Sequence, residues 1–215
     1  MTFSVLIFIL IATIGVSVTA FNNREMMDNM MYIPYDCKHN NNYARFFTHM
    51  LVHADWMHLG FNMFALYFLG KILLDVPCGV YQNIDCGFMQ TYGKGLGQVH
   101  FLALYVLGGM FATLIPYIRH HDNPHYRSLG ASGAVSAVIF GAILWNPGMP
   151  LKVLFLPSMP AFIFGPLYLL IEYFADKRGG TGIAHDAHIG GALFGLVYVL
   201  IINIDKGKEF IHYFF

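Results

Sequence analysis

Charge is what this chain has least of. Only 11% of its 215 residues are charged, where a soluble domain carries about 25%. The 12 basic and 12 acidic residues cancel, so no excess of either sign marks a nucleic-acid partner. Three cysteines are too few, and odd in number, for a disulfide scaffold. There is no Gly-rich phosphate loop, and nothing suggests a nucleotide or other cofactor. Internal repeats and low-complexity tracts are absent too, so one domain over residues 1–215 is the simplest organisation. What is abundant is apolar. Hydrophobic residues make up 57% and aromatics 16%, with a mean hydropathy of +0.55. That excludes disorder and makes the lipid bilayer the main solvent of a multi-pass protein.

A helix needs about 20 mostly apolar residues to cross the hydrocarbon core. Six segments approach this, at about 3–20, 46–74, 99–118, 132–145, 151–174 and 187–204. Only helices satisfy their own backbone groups in lipid, apart from closed barrels. The expected fold is therefore all-α, a polytopic bundle of six transmembrane helices. The first segment ends in Val18-Thr19-Ala20, which resembles a signal-peptidase site, but no basic residue precedes it, so it reads as a span. Pro157, Pro160 and Pro166 make the fifth a kinked or loosely packed helix. The loops after spans one, three and five carry Arg24, Lys38, Arg45, Arg119, Arg127, Lys177 and Arg178. The other side carries Lys71, Lys94, Lys152, Lys206 and Lys208. This small bias would put the odd loops in the cytoplasm.

Polar groups at membrane depth are costly, so each needs a reason. His58 and Asn62 are four apart and share a helix face in the second span. Ser132 opens the fourth span within Gly130-Ala131-Ser132-Gly133, and His188 lies near the start of the sixth. Spans two, four and six all enter from the side of the odd loops. Ser132 and His188 lie at the starts of their spans and His58 roughly 15 Å along its own at 1.5 Å per residue, so all three could sit in the same half of the bilayer. Gly133, Ala137 and Gly141 in the fourth span, and Ala187, Gly191 and Gly195 in the sixth, recur every four residues. Such stripes let two helices approach closely. Close packing would bring Ser132 to His188, a hydroxyl to a base able to take its proton. His58, Asn62 and the Ser132 amide could then donate to an oxyanion. Together these groups describe amide hydrolysis by acyl transfer.

These residues resemble the rhomboid family of intramembrane serine proteases. The match is carried by His53-xxxx-His58-xxx-Asn62, Gly130-x-Ser132-Gly133 and Ala187-His188-xx-Gly191-xxx-Gly195, with a softer match at Arg45-Phe46-Phe47-Thr48-His49. The resemblance implies a Ser132–His188 dyad without an acidic third member. It implies oxyanion stabilisation by His58, Asn62 and the Ser132 amide, and a Gly130 that lets backbone approach the substrate. The implied partners are membrane proteins whose transmembrane helices are locally unstable. It further implies a first loop (22–45) partly in the membrane, a fifth span acting as a gate, and odd loops outside, against the charge bias. A plasma or inner membrane is the expected location. One departure stands out: the family often has an aromatic four residues after the nucleophile, packing on the catalytic histidine, and this chain has Ser136.

Other readings weigh less. His49 and His53, at i and i+4, could share a metal-ligand face, and His120, His121 and His125 cluster in a loop. No acidic residue lies deep in a span to complete a transport path, Glu172 being near a span end, so no metal site is expected. His49 and His53 read as structural, and Arg45 as a loop anchor near the headgroups. A client-binding relative without hydrolysis is the main alternative. Such relatives usually lack the serine or the histidine.

Overall fold

Long apolar runs without water partners close their backbone hydrogen bonds internally, and the chain is accordingly a bundle of helices. The structure, a computed structural model, describes residues 4–79, 84–152 and 157–214. In chain order the helices are α1 (Val5–Phe21), α2 (Arg24–Met30), α3 (Pro34–His39), α4 (Arg45–Thr48), α5 (Trp56–Asp75), α6 (Phe88–Thr91), α7 (Lys94–Ala112) and α8 (Leu114–His120). They continue with α9 (Ser132–Trp145), α10 (Ala161–Arg178), α11 (His185–Ile202) and α12 (Asp205–Ile211). Two short strands, β1 (Pro150–Leu151) and β2 (Met159–Pro160), pair antiparallel before α10.

Three helical runs are long and apolar enough to cross a membrane: Trp56–Asp75, Lys94–His120 and His185–Ile202, of 20, 27 and 18 residues. Val5–Phe21 and Ser132–Trp145 are shorter apolar helices. α10 has 18 residues but carries Glu172, Asp176, Lys177 and Arg178. The six expected spans are thus unequal elements. α9, about 21 Å long at 1.5 Å per residue, is the central one: 12 of its 14 residues are buried, and α5, α7, α10 and α11 all pack on it. Apolar side chains such as Phe64, Phe68, Leu170 and Ile201 face outward on the surrounding helices, as a lipid-solvated surface requires.

Several boundaries differ from the sequence expectation. The second span does not begin at residue 46. α4 and a 3₁₀ turn (His49–Leu51) come first, then extended backbone at Val52, and α5 starts at Trp56 because the Asp55 carboxylate accepts the His58 N–H at 2.8 Å. The fifth span begins at Ala161, ten residues later than expected. Pro150, Pro157 and Pro160 precede it, and residues before proline avoid helical backbone, so the described residues here form the short strands β1 and β2 and no helix. Only Pro166 lies inside the helix. Residue 3 of the first expected span and residues 153–156 of the fifth lie outside the described residues.

The small-residue stripes seat α11 on α9. A Cβ at Gly191 would collide with the Gly133 carbonyl, and one at Gly195 with the Ala137 carbonyl, so here side-chain absence sets the interhelical distance. The first loop is knitted by Arg45. Its guanidinium donates to the carbonyls of Asp28 (2.8 Å) and Met31 (2.6 Å) and pairs with Asp36 at 3.1 Å. Arg45 is buried, so it anchors the loop from within. At the opposite end of the bundle, Cys78 and Cys86 form a disulfide.

Candidate active site

Three helix N-termini converge at one end of the bundle. Ser132 is the first residue of α9, His188 lies in the first turn of α11, and His58 in the first turn of α5. The expected depth of His58, well down its span, is corrected by the later start of α5. Its imidazole is therefore level with the other two termini.

Ser132 Oγ lies 2.8 Å from His188 Nε2, and both residues are half-buried. The turn that presents Ser132 is held by two histidines that the sequence marked as structural. His49 accepts the Gly130 N–H on its carbonyl at 2.9 Å. His53 accepts the Ala131 N–H on Nε2 at 3.2 Å. His53 Nδ1 must then carry the proton and donate to Ser17 Oγ (2.9 Å), whose hydroxyl donates to the Leu51 carbonyl at 2.8 Å. That chain ties α1 to the start of α9. His49 lies on the 3₁₀ turn and His53 in the segment after it, not on one helix face.

Gly130 has φ +114°, and a Cβ there would lie 2.5 Å from His58 Cε1. A side chain is thus excluded both by the backbone region and by the ring that borders the turn. Asn62 is buried and donates from Nδ2 to the His58 carbonyl at 2.9 Å. One of its two amide hydrogens is held by its own helix, and the other is not engaged by that bond.

Sequence reasoning missed the far side of the His188 ring. Glu172 of α10 places Oε1 3.1 Å from His188 Nδ1 and Oε2 2.5 Å from His185 Nδ1. The available signal was an acidic residue within an apolar segment, set aside because it lies near a span end. Ser136, which stands where the family often has an aromatic, faces Tyr168 of α10, their hydroxyls 3.4 Å apart. Glu172, His185 and His188 also bring ligand-type atoms within 4.8 Å of one another, the one group of the described residues with the donors for a metal ion. Hydrogen bonding accounts for their approach.

A family model for the Rhomboid domain matches residues 40–204. The chain belongs to the rhomboid family. Among its rhomboid relatives, RHOMBOID-like protein 12, mitochondrial, of Arabidopsis thaliana is 27% identical over 218 residues, covering 93% of this chain and 58% of that protein. Presenilin-associated rhomboid-like protein, mitochondrial, is 28% identical over 153 residues in both Bos taurus and Homo sapiens, covering 68% of this chain and 35% of each. The rhomboid chain thus spans from about a third to somewhat over half the length of these relatives. Their names correct the expected location. They point to a mitochondrial membrane and away from the plasma membrane.

Proposed function

We propose that this chain is an intramembrane serine endopeptidase that cleaves transmembrane segments of membrane proteins, built as a single domain with six membrane-crossing helices and working in a mitochondrial membrane. The observation that carries this reading is the 2.8 Å contact between Ser132 Oγ and His188 Nε2 at the half-buried end of three helices. Ser132 attacks the scissile carbonyl while His188 accepts its proton. Negative charge builds on the carbonyl oxygen. The Ser132 N–H, one of the first four of α9 without an intrahelical acceptor, meets that charge together with His58 and the second Asn62 amide hydrogen. Each such donor contributes about 3–4 kcal/mol to the transition state. His188 then protonates the leaving amine, and a water that gives its proton to His188 releases the acyl group from Ser132.

We read the Gly130 turn as the place where the backbone of a substrate lies against the chain. A stable helix hides its carbonyls in its own hydrogen bonds, so a locally unstable segment is the substrate class this chemistry demands. The test is labelling of the detergent-purified chain by a fluorophosphonate probe beside Ser132→Ala and His188→Ala. Labelling of the wild type alone supports an activated serine at this position. No labelling of the folded wild type would instead indicate a chain that binds membrane clients without cutting them.

A further inference from the structure

Glu172 is buried, and its ion-pair partners among the described residues are two imidazoles, those of His185 and His188, with no lysine or arginine. A carboxylate between two imidazoles accepts from both of them. The contact at 3.1 Å therefore places a proton on His188 Nδ1. That leaves the Nε2 lone pair facing the Ser132 hydroxyl, 2.8 Å away. The opposite tautomer would point N–H at the serine and could not take its proton. Burying a carboxylate without a strong cation is costly, and here the cost falls on the histidine that faces the serine.

We propose that Glu172 is the positioning residue of this site: it fixes the tautomer and orientation of His188 and stabilises the imidazolium formed when Ser132 is deprotonated. The inference rests on the reading of Ser132 and His188 as nucleophile and base, and extends that pair to a line of three groups. The third group comes from α10 and not from the helices carrying the other two. His185 Nδ1 holds the second carboxylate oxygen at 2.5 Å. Displacement of α10 would separate Glu172 from His188, so an activated Ser132 requires α10 to be docked.

The test measures the rate and affinity constants of fluorophosphonate labelling (kinact and KI) on the full chain in detergent. Wild type, Glu172→Gln and Glu172→Asp are compared, with Ser132→Ala as the blank. Gln keeps the volume and one acceptor oxygen but neither the charge nor the second acceptor, so a role in packing alone would leave the rate untouched. The expected result is a fall of kinact by at least about tenfold in Glu172→Gln with KI little changed, and partial recovery in Glu172→Asp. Loss of the equivalent carboxylate in a soluble triad costs roughly 10⁴-fold. Wild-type kinact in Glu172→Gln, with the blank silent, overturns the role of Glu172 and leaves the nucleophile standing. A wild type that is folded yet unlabelled overturns both. Should Glu172→Gln fail to fold, the ¹⁵N resonances of His188 in the wild type decide. A protonated Nδ1 beside a bare Nε2 supports the assignment, and the reverse tautomer overturns it.

Discussion

His58 and Asn62 occupy successive turns of one face of α5, but they are held differently. The His58 ring lies against Gly130, and the Asn62 amide is turned partly to its own helix. A group that meets charge only in the transition state changes kcat more than KM. His58→Ala and Asn62→Ala should each lower kcat by about 10²–10³-fold on a helix-destabilised transmembrane peptide, with KM changed far less. An equal loss carried by KM would mean that these residues bind substrate and do not stabilise the oxyanion. Ser132, His188, His58 and Asn62 were legible as residues because polar groups in apolar segments stand out. Glu172 was not, because its importance comes from the His188 ring it faces, and no spacing along the chain encodes a contact between α10 and α11.

The elements owe their packing to what the side chains leave out. α11 reaches α9 because Gly191 and Gly195 have no Cβ to meet the carbonyls of Gly133 and Ala137. Backbone cannot give way as a flexible side chain can. Gly195→Ala should therefore push the helices apart and destabilise the bundle by about 1–3 kcal/mol, read as earlier unfolding in a detergent-denaturant titration. Because this pair of helices carries Ser132 and His188, probe labelling should fall with it. A variant as stable as the wild type would show that α11 can shift without cost. The four-residue spacing announced this interface. The start of α5 was harder to read. The run from residue 46 is apolar enough for one long helix, and the Asp55 cap that divides it competes with that pattern over only a few residues.

At the scale of the whole molecule, one end carries the polar site and the other is fastened by a knot around the end of α9. Trp145 Nε1 donates to the Cys86 carbonyl at 2.9 Å, and Asn146 Oδ1 accepts the Asp85 N–H at 2.6 Å. Lys206 of α12 pairs with Asp85 and Glu209 and lies 5.1 Å from the Trp145 ring centroid. Burial opposes the charge on Lys206, but the two carboxylates outweigh it and hold its pKa above the ordinary lysine value. A raised folded-state pKa gives stability that is complete below the unfolded value, near 10.4, and is lost as pH rises through the folded one. In a Trp56→Phe background, Trp145 emission should stay constant from neutral pH to about 10 and change only above that. Lys206→Met should abolish the alkaline transition. A transition beginning well below pH 10 would show that the lysine is not held charged by its partners. The sequence by itself determined that the chain lives in a bilayer, that it is helical, and which polar residues the apolar segments carry, because hydropathy and helix period are local properties. Only the tertiary structure decided that α9 is the buried centre, that three helix ends meet around Ser132, and that α10 brings Glu172 to His188. Those facts depend on how far each helix slides along its neighbours, and that is set by collisions between carbonyls, glycines and rings far apart in the chain.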